Sequence, residues 1–362
     1  MERYVGLMTG TSMDGIDAVR AVTDGERLVL EAARYTPFEA DLRDALLMVD
    51  GETPLATLAR LDARVGDALA AAAAAMIPAD GGAVTAVGSH GQTVWHAPGG
   101  RWPNTLQIGD PSRVARGTGR PVVADFRRGD QAAGGEGAPL APAFHAALFA
   151  AGGEDRVVVN LGGMANITLL PAGRPEAVRG FDTGPGNALL DIWNARNGRG
   201  SFDPGGAWAA TGTVERALLA HFEADPYFRR PAPKSTGREH FNAAWLEAAP
   251  LAAHQPADVQ ATLATLTART VAAAATQALP EAATVIVCGG GAHNADLLDR
   301  LAAELPRARV VSSTAFGVDP DWVEAAGFAW LAHQRIHHRP GNIPGVTGAD
   351  RWCVLGAVYP PG

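Results

Sequence analysis

Residues 4–20 hold the first spacing in this chain that could do chemistry. The apolar run Tyr4-Val5-Gly6-Leu7-Met8 enters Thr9-Gly10-Thr11-Ser12-Met13-Asp14-Gly15, and a second run, Ile16-Asp17-Ala18-Val19-Arg20, follows. Glycines let a backbone approach an anion closely, and hydroxyls with free N–H groups can hydrogen-bond to it. Phosphate suits that chemistry. The turn is not a Walker A loop, because no Gly-Lys-Ser/Thr follows. It is not the dinucleotide fingerprint either, which needs a helix where this chain reads as a strand. Taken alone, such a turn is more often a plain hairpin.

Two further turns change that reading. Arg156-Val157-Val158-Val159-Asn160-Leu161 ends in Gly162-Gly163 and resumes at Asn166-Ile167-Thr168-Leu169-Leu170. Thr284-Val285-Ile286-Val287-Cys288 opens into Gly289-Gly290-Gly291 ahead of Asn294-Ala295-Asp296-Leu297-Leu298, which reads as a helix start. Glycine turns at the carboxyl ends of strands are the pattern expected when a nucleotide lies between two lobes. Strand, glycine turn, strand heads each half of the chain, which suggests two related domains facing one another across a cleft.

Strands and helices alternate through most of the sequence, as expected of α/β architecture with mixed sheets. Strands are expected at 28–35, 83–89 and 121–125, and helices at 56–76, 142–151, 188–196, 257–279 and 323–337. The glycine-rich stretch 129–138 reads as a loop or domain crossing. At 362 residues the chain exceeds the usual reach of one core, so two domains are expected. The expected lobes are 1–135 and 136–349, with 350–362 returning to the first.

Thirty basic and 38 acidic side chains give a formal charge of −8, which argues against a nucleic-acid binder. Cys288 and Cys353 are too far apart for a metal motif and too few for a disulfide framework. With no signal-like N-terminus and no apolar run of bilayer length, a cytosolic protein that does not engage membranes is expected. His333 and His337, with Arg335, His338 and Arg339, read as a solvated helix end.

The strings in order resemble the anhydro-N-acetylmuramic acid kinase family, within the superfamily of sugar kinases, heat-shock chaperones and actin. They are Gly6 to Gly15, Gly88-Ser89-His90-Gly91-Gln92-Thr93, Gln107-Ile108-Gly109-Asp110, Asp125-Phe126-Arg127, and Asn160 to Asn166. Phe181-Asp182-Thr183-Gly184-Pro185-Gly186-Asn187, Gly289 to Asn294 and Pro340-Gly341-Asn342 complete the series, which spans essentially the whole chain. The resemblance implies two ribonuclease-H-like lobes with mixed sheets flanked by helices, holding nucleotide and sugar in the interlobe cleft. It implies a cytoplasmic, dimeric enzyme of peptidoglycan recycling that uses ATP and Mg2+. The implied reaction phosphorylates 1,6-anhydro-N-acetylmuramic acid while water opens its anhydro ring, giving N-acetylmuramic acid 6-phosphate.

Water attack at the anomeric carbon needs a general base, and phosphoryl transfer needs positioning and charge neutralisation. If phosphorus captures the departing sugar oxygen, one carboxylate suffices. Asp182 is the candidate base: by itself it reads first as a turn or cap residue before the 188–196 helix, and the resemblance makes it the catalytic aspartate. Candidate nucleotide contacts are Gly10, Thr11, Ser12, Met13, Asp14, Gly15, Ile16 and Asp17, then Asn160, Gly162 and Gly163, then Gly289, Gly290, Gly291 and Asn294. Asp14 or Asp17 could orient magnesium through water, or both could be solvated hairpin residues, and the metal ligands stay open.

For the amino sugar the candidates are Ser89, His90, Gln92, Thr93, Asp125, Arg127 and Glu324, with His96, Arg128 and Glu136 nearby. Arg127 could meet the lactyl carboxylate. Glu324 resembles a family substrate contact and equally reads as a charge favoured at a helix N-terminus. By themselves His90 and His96 read first as structural histidines. The competing functions are another sugar kinase, an ATP-driven conformational machine of the same superfamily, and a glycosidase with paired carboxylates. The last would leave three glycine turns unexplained.

Overall fold

In the computed structural model, residues 1–10, 12–79 and 82–362 are described. They divide into two compact units, Met1–Leu148 with Trp322–Gly362, and Phe149–Asp321.

The first unit begins with an antiparallel meander of β1 (Glu2–Met8), β2 (Gly15–Thr23) and β3 (Leu28–Pro37). β4 (Ala86–Ser89) lies parallel to β1, and a separate ribbon follows of β5 (Gln92–Ala97) and β6 (Asn104–Ile108). β7 (Val122–Ala124) adds beyond β4 in parallel. Side chains alternate across a strand, and β1 shows why that matters here. Val5 and Leu7 face one core with Leu61, Val65 and Leu69 of the Leu55–Ala74 helix. That four-residue spacing lays one apolar stripe on the sheet, each buried side chain contributing about 2 kcal/mol.

The other face of β1 takes the Val323–Ile336 helix. A Cβ on Gly6 would run into the Ala325 carbonyl, and one on Gly88 into the Phe328 carbonyl. The helix backbone therefore rests directly on the sheet, which only glycine permits.

The second unit repeats the plan. β8 (Arg156–Leu161), β9 (Met164–Leu170) and β10 (Arg179–Pro185) form an antiparallel meander. β11 (Thr284–Cys288) and β12 (Arg309–Ser312) continue it in parallel, in the order β10-β9-β8-β11-β12. Val157, Val159, Ile167 and Val287 pack against Ala268, Val271 and Ala275 of the Pro256–Ala278 helix. A second core gathers Trp193, Phe222, Tyr227 and Phe241. In the first unit β13 (Ala357–Tyr359) closes the sheet, giving β13-β7-β4-β1-β2-β3. Both units thus share the ribonuclease-H-like core order: an antiparallel meander whose first strand pairs with parallel strands.

The expected lobe limits need correction. The first unit runs on through 148, and the chain rejoins it at 322 rather than 350. The stretch 129–138 is not a crossing: it includes the Arg128–Ala132 helix and is tied into the first unit by Asp130. The fully buried Asp130 carboxylate accepts from Gly137 N at 2.8 Å, Asn342 Nδ2 at 2.7 Å and Thr347 Oγ1 at 2.7 Å. The Phe144 ring lies against Gly327. Early and late chain are held by a buried charge with every bond made, a long-range pattern that composition does not signal.

Candidate active site

In the first unit, the β1–β2 turn is braced from beneath. Thr9 Oγ1 donates to Gly91 O at 2.7 Å, and Gln92 Nε2 to Gly10 O at 3.1 Å. Met13 turns through a left-handed φ of 51°, its N–H on Gly10 O at 3.2 Å. Ser12 Oγ donates to Asp14 Oδ1 at 2.6 Å on the exposed tip, and Asp17 stands opposite Met8. Thr11 lies outside the described residues. Two positions within the turn serve packing. The Ile16 side chain is buried in the core, leaving only its backbone for a ligand. At Gly15 a Cβ would meet the Tyr35 ring and Thr36 O, so packing alone already requires a glycine there.

The polar knot after β4 also sorts itself. Ser89, His90 and Gln92 are buried. Arg127 lays its fork on His90, with Nε at 3.1 Å and Nη2 at 2.9 Å from His90 Nε2, while Nη1 donates to Gly137 O at 2.9 Å. A guanidinium only donates, so His90 Nε2 accepts and the ring is neutral. Burial and then the Arg127 charge push the His90 pKa well below its ordinary value, against the Gly91 and Thr9 backbone. His90 is therefore a positioning residue for Arg127. Ser89 Oγ and Gln92 Oε1 are buried without a hydrogen-bond partner in the structure, so each has unused hydrogen-bonding capacity.

Burial lowers the Arg127 pKa to about 10, opposed by the Glu324 charge. Glu324 in turn is raised by burial and held down by Arg127. Thr93 Oγ1 accepts from Gln107 Nε2 at 3.1 Å, and His96 Nδ1 meets Thr105 Oγ1 at 3.1 Å. Asp125 sits at a left-handed φ of 59° with Arg128 Nη1 at 3.4 Å from its carboxylate.

In the second unit, the two later glycine turns meet. Asn160 at the end of β8 pairs with Cys288 at the end of the parallel β11. A Cβ on Gly289 would strike Asn160 Oδ1, and one on Gly291 would strike Leu161, whereas Gly290 faces open space. The β8–β9 turn is locked to the Ala188–Arg196 helix: Gly186 N and Ala188 N donate to Gly163 O at 2.9 and 3.1 Å, and Asn187 N to Gly162 O at 2.8 Å. Carboxyl ends of adjacent parallel strands are where α/β sheets bind ligands. The Asn294 side-chain oxygen caps the Ala295–Glu304 helix by accepting from Leu297 N at 2.9 Å.

Asp182 lies within β10, at a register shift before Gly184, and not at the turn expected. Its N–H donates to Lys234 O at 3.1 Å, its carbonyl accepts from Tyr227 Oη at 2.8 Å, and Oδ2 accepts from Thr236 N at 3.0 Å. The carboxylate is thus aimed by backbone. Burial raises its pKa, the Thr236 N–H pulls it back and the Glu239 charge adds to the rise. Nearby, burial raises Asp191 to about 6 against the Arg238 charge. The Arg238 guanidinium also flanks Gly163, 3.7 Å from where a Cβ would stand.

A family model described as anhydro-N-acetylmuramic acid kinase matches residues 2–361. The chain belongs to the anhydro-N-acetylmuramic acid kinase family. It is 50% identical over 374 residues to a curated protein of that name from Pseudomonas paraeruginosa, covering 99% of each chain. A Xanthomonas campestris protein of the same name is 52% identical over 367 residues, covering 99% of this chain and 97% of that one. One from Chromohalobacter salexigens is 49% identical over 369 residues, covering 99% and 100%.

For a member of this family, the structure brings two groups of the expected residues together. Ser89, His90, Gln92, Arg127 and Glu324 gather in the first unit; Asn160, Gly162, Gly163 and Gly289 to Gly291 gather in the second. Residues 234–239, Lys-Ser-Thr-Gly-Arg-Glu, were missed, yet they hold Asp182 and put Arg238 beside the second glycine turn. Their signal was a hydroxyl, glycine and charge cluster just after Pro231-Ala232-Pro233. Among the described residues no helix is long and apolar enough to cross a membrane.

Proposed function

We propose that this kinase transfers the γ-phosphoryl group of ATP to the 6-oxygen of 1,6-anhydro-N-acetylmuramic acid while water opens the ring, yielding N-acetylmuramic acid 6-phosphate and ADP. The carrying observation is Asp182, a carboxylate fixed by Thr236 N–H and made more basic by burial. Water attacks the anomeric carbon as Asp182 takes its proton; the bond from that carbon to the 6-oxygen breaks, and that oxygen attacks the γ-phosphorus as ADP leaves. The electron pair released at the 6-oxygen forms the new P–O bond, so no second protein acid is required.

Backbone N–H groups and hydroxyls of the Thr9–Gly15 and Gly162–Gly163 turns bind phosphate oxygens, and Arg238 supplies positive charge beside Gly163. Within Gly289 to Gly291, Gly290 faces open space and gives the nucleoside an unobstructed backbone surface. Arg127, aimed by His90 and Gly137 O, pairs with the lactyl carboxylate, and Ser89, Gln92 and Glu324 bind sugar hydroxyls and acetamide.

Magnesium would neutralise phosphate charge. It binds through one or two carboxylates with water and phosphate oxygens, a requirement that Asp14 or Asp17 fits without a protein cage. Neither three-residue cluster of potential metal ligands among the described residues includes a residue of the glycine turns proposed to hold phosphate. The proposed setting is a cytoplasmic homodimer that recycles peptidoglycan sugar.

The test is turnover of the anhydro sugar with ATP and magnesium in oxygen-18 water. Label in the anomeric hydroxyl with stoichiometric ADP is expected. Phosphorylation without ring opening, or opening without ATP, would overturn the coupled reaction.

A further inference from the structure

The histidine-rich end of the Val323–Ile336 helix is solvated at His337, His338 and Arg339, as its sequence suggests, but not at His333. His333 is buried and packs edge-on to Tyr4, with ring centroids 5.5 Å apart. His333 and His337 share a helix face at i and i+4, and their rings lie 4.3 Å apart. From β1 comes Glu2, two residues from Tyr4 and therefore on the same side of the strand. Glu2 Oε2 accepts from His337 Nε2 at 2.8 Å and from Tyr4 Oη at 2.6 Å. One donor atom from each of Glu2, His333 and His337 lies within 4.8 Å of the other two.

The protonation of His333 follows from its neighbours. Gln334 Nε2 donates to Pro340 O at 3.1 Å, and a carbonyl only accepts, so the Gln334 amide orientation is fixed. Its Oε1 therefore faces His333 Nδ1, at 3.2 Å, and Nδ1 carries the hydrogen. The lone pair of His333 is left on Nε2. A metal-binding histidine has this form, with the outer N–H held by an oxygen and the inner nitrogen free to coordinate.

We infer that Glu2, His333 and His337 form a zinc-type divalent-cation site joining the start of β1 to the end of the Val323–Ile336 helix. Two imidazoles and a carboxylate are a characteristic donor set for zinc, with water as fourth ligand. Bonds of roughly 2.0–2.2 Å in a tetrahedron put ligand atoms about 3.3 Å apart. The His337–Glu2 pair opens slightly and His333 closes in, changes that the half-exposed Glu2 and His337 can absorb at 44% and 37% exposure. The His337 Nε2 proton leaves to solvent as the cation binds. Tyr4 stays on the carboxylate and orients it.

Untagged full-length protein, stripped with chelator, is titrated with Zn2+ by calorimetry and with Co2+ by visible absorption. One equivalent of Zn2+ should bind at this site, with a Co2+ spectrum of low coordination number and a raised Tm. His337→Ala and Glu2→Gln, both at exposed positions, should each weaken binding by at least about tenfold and remove the Tm shift. His293→Ala serves as control, because His293, Asp319 and Asp321 form the other exposed cluster. Binding that persists in His337→Ala, binding lost only in His293→Ala, or no binding at all would overturn the assignment.

Discussion

Asp130→Ala tests how the first unit is closed. The carboxylate is fully buried and accepts three hydrogen bonds, from Gly137 N, Asn342 Nδ2 and Thr347 Oγ1, none longer than 2.8 Å. A hydrogen bond to a charged group contributes about 1.5–3 kcal/mol, and a donor left buried without a partner costs a further share. Losing the acceptor while water reaches part of the gap should cost about 4 kcal/mol, roughly a thousandfold in the folding constant. The assay is urea denaturation of parent and variant, with limited proteolysis of the 342–362 segment alongside. The loss should also reach the site, because Gly137 O, in the same turn as Gly137 N, accepts from Arg127 Nη1. A destabilisation below about 1 kcal/mol, with unchanged KM for the sugar, would refute the reasoning.

Three other outcomes are expected. Asp182 must be ionised to take a proton, and its pKa is raised, so activity should fall with decreasing pH above the ordinary aspartate range. Asp182→Asn should remove that turnover while nucleotide affinity, read by calorimetry, stays near the parent value. Arg127→Lys loses the fork that spans His90 and Gly137 O, and should raise KM for the sugar about tenfold with little change in kcat. Gly88→Ala forces a methyl against the Phe328 carbonyl and should destabilise by about 2 kcal/mol in chemical denaturation.

Local features of the fold were legible because they are written in short spacings. The apolar runs at 156–161 and 284–288, the hairpins around Gly10 and Gly162, and the helix at 188–196 follow from strand runs, glycine turns and helix periodicity. What stayed hidden depends on partners far away in sequence. Residues 234–239 acquire meaning only when their backbone meets Asp182, more than fifty residues upstream. Ile16 and Gly15 were read as ligand contacts, and their packing roles were missed, because a turn's sequence does not say which of its atoms face the core. Asn294 stands among glycines yet spends its oxygen on a helix cap. His333 belongs to a polar run, yet it is buried against Tyr4 of β1, at the other end of the chain, and only there does His337 meet Glu2.

The helix that rests on Gly6 and Gly88 carries Glu324 near its start and His333 and His337 near its end. Where side chains separate two elements, each substitution alters the spacer and moves the elements apart or together. Here carbonyls meet glycine Cα atoms, so there is no spacer to alter. Over evolutionary time, Val5, Leu7 and their neighbours on the opposite face can exchange for other apolar residues without changing the height of this helix. The placement of Glu324 is thereby insulated from drift in that core, and selection on it should be felt at the two glycines on which its helix rests.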